Sequence, residues 1–539
     1  MRRSIRHALV LGITGALALP AIGAAAVGDI TEFGVTGADP IAITSGPDGN
    51  LWIAQYTDSG APPLDSGVGK MTPAGAFTGY TAGIEPDSGP TSIVGGPDGN
   101  LWYTREFNPV PALMKVTTLG AVSVAATFPV PANARARSVV VGPDGNLWLA
   151  IADGIVRSTT GGSVTTFPVP VPLNLSALAT GPGGAVWSVD TPGEALARTT
   201  MDGATTQVAT FPAGSLPAGI AAGPDGNLWV PLKGTSPTSI ARVTPTGSTT
   251  RFDVPSNSNR LKGITAGADG NLWFTEEDTG RIGRITTSGQ VTEYVVPRVG
   301  AAPYAIAAGP DGNVWYTDLV GKKVGRVLTG VVPSSTAAPV VTGTPKVGQV
   351  LTVSKGTWNH VPAGYAYAWQ RCTSAAATGC STVRDQLAST YTVTREDVGK
   401  FLIASVTATS LNGDSQAATS PAVQVAALPR LTITWSRTKT KRKKATITAL
   451  VTPRSGATSY RMAALLTSGP NAYRSDQNTR SGRCVRAKVK LKANKGKKPR
   501  TVIRQRCTIT LPVGAWSVTA EGSRGPELLA YATRGFRIR

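Results

Sequence analysis

Histidine is nearly missing from this chain: His7 and His360 are the two copies in 539 residues, and none falls between residues 27 and 330. Histidine is the usual side chain able to take a proton near neutral pH. Acid–base chemistry in that long segment would have to rest on other groups. Cysteine is absent until Cys372, and aromatics make up only 6% of the residues. Helical periodicity is weak throughout. After residue 26 no apolar run is long enough to span a bilayer, so no transmembrane segment is expected in the mature chain. What the chain has instead is glycine and proline, 62 and 40 of them. That is the composition of short strands joined by tight turns, and it predicts an all-β protein.

One stretch organises the first half. Gly46-Pro47-Asp48-Gly49-Asn50-Leu51-Trp52 returns as Gly96–Trp102, Gly142–Trp148, Gly223–Trp229, Gly267–Trp273 and Gly309–Trp315, and in worn form as Gly181–Trp187. The steps between successive tryptophans are 50, 46, 39, 42, 44 and 42 residues. Self-similarity at this period marks one supersecondary unit copied many times. In the sixth copy, Ile264-Thr265-Ala266 reads as a strand and Gly267 to Asn271 as a turn. Leu272 to Thr275, Arg281 to Ile285 and Val291 to Tyr294 read as three more strands. Four antiparallel strands in such a repeat make a propeller blade, and seven blades are expected over residues 27–330.

The tryptophans read as packing between neighbouring blades rather than as a ligand platform, since each buried ring removes about 150–250 Å² from water. The Asp of each copy reads as turn chemistry, not as a calcium loop. The seventh copy ends at Val327 without a fourth strand. Asp29-Ile30-Thr31-Glu32-Phe33 matches Val291-Thr292-Glu293-Tyr294. The N-terminal strand is therefore expected to complete the last blade.

Residues 1–26 read as an export signal: Arg2, Arg3 and Arg6, an apolar run from Ala8 to Leu19, then Ala24-Ala25-Ala26. An extracellular or cell-surface location is expected. The net charge of +22 is concentrated at the other end. From Arg430 onward there are 26 basic and 3 acidic residues, whereas residues 27–330 carry 18 and 24. Such asymmetry implies a partner for the terminal segment, and an anionic cell-wall polymer or glycan fits an exported chain. Nucleic acid is not expected, because aromatics are not interleaved with the basic runs. Those runs, Lys439–Lys444 and Lys488–Arg506, read as solvated loops. A monomer is expected.

With an export signal, four cysteines suggest disulfides. Local pairing gives Cys372–Cys380 and Cys484–Cys507, worth roughly 2.5 and 3.5 kcal/mol by loop-closure entropy. Three connectivities are formally open, and a zinc site is disfavoured because only His360 lies near.

The run GADGNLWFTE from Gly267, with GRIGRIT from Gly280 and GQVTEY from Gly289, resembles the streptogramin B lyases, the virginiamycin B lyase family. The resemblance covers about residues 29–330. It implies a seven-bladed propeller that opens a cyclic depsipeptide by elimination with a magnesium ion. It implies a histidine base just before the inner strand of the last blade, in a pattern like Glu-x-His-Gly/Ala-Ile. Here the aligned stretch is Ala302-Pro303-Tyr304-Ala305-Ile306, followed by Trp315-Tyr316-Thr317-Asp318. Tyr304 stands at the base position and Ala302 at the first acidic one; Asp318 keeps a carboxylate. One blade earlier, Lys262 stands where the lyases have histidine. No catalytic residue and no metal ligand set is assigned, and magnesium is expected only if lyase activity is retained. The candidate rim of the channel comprises Lys262, Tyr304, Glu276, Asp318, Arg105 and Asp190, for a small-molecule or peptide ligand. A further reading makes Tyr304 a base beside Lys262.

Residues 331–339 read as a linker. Residues 340–427 alternate apolar and polar, and Gly356-Thr357-Trp358, Trp369-Gln370-Arg371-Cys372 and Tyr391-Thr392-Val393 resemble bacterial Ig-like modules of exported proteins. That resemblance implies a β-sandwich with a spacing or adhesive role. Residues 428–539 read as a second small β-rich module. The functional expectation is a ligand-binding or surface-interaction protein; a carbon–oxygen lyase with a rebuilt site is the alternative, and a purely structural wall protein is a third reading.

Overall fold

In the computed structural model the described residues are 26–56, 66–86, 88–106, 110–128, 135–151, 154–169, 175–234, 237–256 and 258–426, with the strands between Ile433 and Ile538 described in backbone only. The proposed signal at 1–26 lies outside them, apart from Ala26.

Seven four-stranded antiparallel sheets account for residues 30–327. In the sixth blade the strands are Leu261–Ala266, Leu272–Glu276, Arg281–Ile285 and Val291–Val295. The first strand of each blade neighbours the first strand of the next, and the seventh neighbours the first. Repetition thus closes into a ring around a central channel, which is how such sheets protect their edges.

The ring is latched as the repeat arithmetic predicts. Ile30–Gly34 pairs antiparallel with Lys323–Val327, with Ile30 opposite Val327 and Gly34 opposite Lys323. Pro303–Ala308, Val314–Asp318 and Lys323–Val327 need that fourth strand. Phe33 then stacks on Trp315 at 5.5 Å between ring centroids.

The repeated motif is a tryptophan holder. In the first blade the Trp52 indole Nε1 donates to Asp48 Oδ1 at 3.1 Å, and Asn50 Nδ2 donates to Asp48 Oδ2 at 2.8 Å. Gly46 must lack a side chain, because a Cβ there would stand 2.4 Å from Trp52 Cδ1. Gly49 takes the left-handed φ of 73° that the three-residue turn requires. A basic residue from the third strand lies over the ring: Lys70 Nζ is 5.5 Å from the Trp52 centroid. It also stitches blades, since Lys70 Nζ donates to the Thr118 carbonyl of the second blade at 3.1 Å.

All seven tryptophans are fully buried. Each packs with the next blade: Trp52 lies among Ile93, Leu101 and Tyr103, and Trp315 lies among Ile43, Leu51 and Ile53. The wedge reading therefore holds. Removing about 150–250 Å² of ring from water contributes roughly 4–6 kcal/mol per position by area.

The chain divides into two compact units, the second made of Ser335–Trp358, Tyr365–Ala408 and Gln416–Arg539. Within residues 335–426 the long strands Gly364–Cys372 and Phe401–Ser410 are neighbours in one sheet, and Val341–Gly343, Val350–Val353 and Thr390–Thr392 form another. Between them Trp369, Leu351, Leu402 and Val406 build a core of their own. Buried Asp397 ties the corner together by accepting from Arg371 Nε at 2.6 Å and Tyr391 Oη at 2.7 Å. The predicted bridge Cys372–Cys380 is formed.

Strands between Ile433 and Ile538 form one seven-stranded antiparallel sheet. The basic run after Lys488 is not a loop throughout, as expected from charge alone. Much of it lies on two paired strands, Thr479–Leu491 and Arg500–Pro512. A strand tolerates charge on every second residue when one face meets water, and Arg486, Lys488 and Lys490 follow that spacing. The register sets Cys484 opposite Cys507; their side chains lie outside the described residues.

Candidate functional site: the channel mouth

The channel cavity, about 310 Å³, is lined by all seven blades, at or just before the start of each inner strand. One repeat position, five residues before the first glycine of each motif, supplies Ile41, Thr91, Arg137, Ser176, Ala218, Lys262 and Tyr304. Two of the six rim candidates, Lys262 and Tyr304, thus lie side by side in the cavity wall. Lys262 Nζ is 4.7 Å from the Tyr304 ring centroid. It is also 3.1 Å from Glu277 Oε2, and Arg260 Nη1 is 3.3 Å from the other oxygen of the same carboxylate. Burial holds the nearby Lys233 ammonium below its usual value; Lys262 and Arg260 push the same way, and Glu277 partly offsets them.

The other four candidates share a different repeat position, the last residue of the second strand. That strand is set back from the channel by one strand width. Arg105, Asp190, Glu276 and Asp318 are all buried there. Asp190 Oδ1 accepts from the Gly193 amide at 3.0 Å, and Arg105 Nε donates to the Val110 carbonyl at 3.0 Å. Glu276 Oε2 accepts from Ser256 Oγ at 2.5 Å and Thr279 Oγ1 at 2.8 Å. Burial pushes the Glu276 carboxyl above its ordinary value despite those donors. In two other blades Ile151 and Leu232 occupy the position. It behaves as a support for the loop beneath which it sits.

Asp318 is the most heavily engaged of the four. Arg298 forks onto it, with Nε 2.8 Å from Oδ2 and Nη2 3.0 Å from Oδ1. The amides of Ala302 and Gly321 add bonds of 2.9 and 3.2 Å to Oδ1. Burial alone would raise this carboxyl, but Arg298 and the two amides outweigh it and hold it below the usual range.

The virginiamycin B lyase family model matches residues 28–236 and 206–347, which together span more than half of the chain. The chain belongs to the virginiamycin B lyase family. It is similar to a streptogramin B lyase of known structure, with 26% identity and a TM-score of 0.50 over 56% of this chain and 97% of that one. It is also similar to a virginiamycin B lyase from Staphylococcus aureus, with 28% identity and a TM-score of 0.50 over 56% of this chain and 99% of that one. No curated protein matches the chain.

Family membership implies a magnesium ion, and the residues present do not fit one. Magnesium wants oxygen ligands in a near-octahedral set. At the aligned positions Ala302 offers no side-chain oxygen, and both oxygens of Asp318 already bind a guanidinium. Among the described residues no cluster of three or more His, Cys, Asp or Glu is placed to hold a metal. Arg298 was missed from sequence because it sits in the loop between the sixth and seventh blades. Arg137 was missed too, although aligning the copies puts it at the same repeat position as Lys262 and Tyr304.

Proposed function

We propose that this member of the virginiamycin B lyase family is a ligand-binding propeller at the cell surface, without histidine-based elimination chemistry. One observation carries the reading. The wall of the channel retains a polar, ligand-sized cavity, while the proton-accepting and metal-binding positions hold Tyr304, Lys262, Ala302 and an Asp318 neutralised by Arg298. Elimination requires a base within reach of the proton it removes. Lys262 stands against a carboxylate and over the Tyr304 ring, an arrangement that suits holding a ligand.

Export is supported by the leader-like first 26 residues and by the Cys372–Cys380 bridge, which persists in oxidising compartments. The basic residues after Arg430 would tether the chain to an anionic wall polymer or glycan. On this reading residues 340–427 serve as spacer.

The deciding experiment is to incubate the full chain with a streptogramin B, with and without magnesium, and follow ring opening together with the thermal melt. No ring opening is expected under either condition. Magnesium-dependent opening would replace this reading by a carbon–oxygen lyase with a rebuilt site. For the tether, the full chain should bind isolated cell wall at low salt and elute as salt rises, and a chain lacking residues 430–539 should not bind.

A further inference from the structure

We propose that the channel mouth is an anion site, taking a small molecule that carries a carboxylate or phosphate group between Lys262 and Arg137. This deepens the ligand-binding reading above and rests on it. The first support is the charge pattern of the wall. Of the seven residues at the ring-facing repeat position, the two charged ones are Arg137 and Lys262, and both are cationic. They come from the third and sixth blades, so a ligand on the channel axis lies between them. No carboxylate is among the described residues that line the cavity.

The second support lies behind Lys262. The Glu277 carboxylate is shared by Arg260 and Lys262, at 3.3 and 3.1 Å. Lys233 stands in the same field. The adjacent carboxylates turn to other loops: Glu276 accepts from Ser256 and Thr279, and Asp278 from Ser258 Oγ and the Asn259 amide. Of this cluster Lys262 is the member that lines the cavity, so the wall presents positive charge there, and positive charge inside a concave wall concentrates anions. The third support is a pair of hydroxyls. Ser92 Oγ and Ser138 Oγ each accept a backbone amide of the next blade, from Val139 and Leu178 at 3.2 Å. Accepting spends an oxygen lone pair and leaves the hydroxyl hydrogen for donation. Both serines line the cavity. Two cations and two hydroxyl donors suit an oxyanion. The volume of about 310 Å³ limits the ligand to modest size.

The test is calorimetric titration of the full chain at low ionic strength with citrate and, separately, inorganic phosphate. The basic terminal segment also attracts these probes, so the reading is the difference between wild type and Lys262→Met, which share that segment. Lys262→Met is expected to weaken one saturable component by at least about tenfold, as loss of a charge-assisted contact does. Lys262→Arg should keep it within about threefold. Arg137→Gln is the second variant, at a separate blade, and should also weaken that component; melts of each variant check folding. Dependence on Lys262 with citrate alone identifies a carboxylate ligand, and with phosphate alone a phosphoryl ligand. Equal binding by wild type and both neutralised variants overturns the anion site. If streptogramin B then still raises the melting temperature of wild type, the ligand-binding reading stands without it.

Discussion

The fourth blade and the other six solve one packing problem with different parts. In the six, an aspartate holds the indole, as Asp269 does for Trp273 at 3.1 Å, and a third-strand base lies above, as Arg284 does at 5.8 Å from the ring centroid. In the fourth, the motif reads Gly181-Pro182-Gly183-Gly184-Ala185-Val186-Trp187, and the indole donates to the Pro182 carbonyl instead, at 3.1 Å. Arg198 reaches the Gly183 carbonyl, and Val208 stands where Tyr294 stacks in the sixth blade, as Ala125 does in the second. Yet Trp187 is as buried as the others and packs with Leu228 and Val230 of the next blade. The wedge is what the ring needs; the aspartate, the base and the stacked aromatic are one way of holding it.

The comparison breaks most directly at the ring itself. Trp273→Ala and Trp187→Ala are both expected to cost about 3–5 kcal/mol, seen as similar losses in denaturant midpoint. A Trp187→Ala variant that melts like wild type would mean that the fourth blade is not wedged as the others are. Next comes the holder. Asp269→Ala leaves the Trp273 indole, Asn271 and Arg284 without their shared acceptor. It is expected to cost about 1–3 kcal/mol. Grafting the aspartate into the fourth blade should not help: Gly183 has φ of 74°, where its counterparts have Asp in an ordinary conformation. Gly183→Asp is expected to cost about 1–2 kcal/mol. A rise in stability on grafting would show that the turn readily switches type.

The smallest effect separates the blades by pH. Burial alone would raise Asp98, but bonds from Lys115, Trp102 and Asn100 bring it down to about 2. Asp144, Asp225 and Asp269 are lowered in the same way, burial being outweighed by bonds from the indole and the asparagine. A carboxyl lowered in the folded state adds stability above its unfolded value, about 3.9, and loses it as pH falls through the folded value. Amide exchange on falling from pH 4 toward 2 should therefore rise earlier at Leu101 and Leu272 than at Val186, whose blade lacks the aspartate. Equal rises would assign the acid sensitivity elsewhere. Glu276 carries the opposite sign: its carboxyl is raised by burial, so it costs stability above its unfolded value. Glu276→Gln should raise the melting temperature at pH 8 more than at pH 5.

Much of the architecture was legible because a copied unit exposes its own missing piece. Ile30 to Phe33 resembles the fourth strand of the sixth blade, and the pairing of Ile30 with Val327 follows from counting strands. Lys262 and Tyr304 were legible as channel residues because they open inner strands. The other rim candidates close the second strand of their blades, one strand back from the channel wall. Strand periodicity tells which face a residue takes, not which strand of the blade borders the channel. The fork of Arg298 on Asp318 depends on how an inter-blade loop folds back, and that loop carries no repeat. The basic run after Lys488 misled for a related reason, since alternation with Val and Leu lets a strand carry several lysines.

The latch also fixes an order of events during synthesis. Ile30 is among the first residues of the propeller to be made, and its partner Val327 is among the last. At typical translation rates, the N-terminal strand waits roughly 15–60 s for the edge it will join. Through that interval its backbone is an open template for wrong pairing. Glu32 sits in the middle of the strand and, once the ring closes, its Oε2 meets Lys323 Nζ at 3.4 Å. A charge that finds its partner only in the finished ring is a guard against premature pairing.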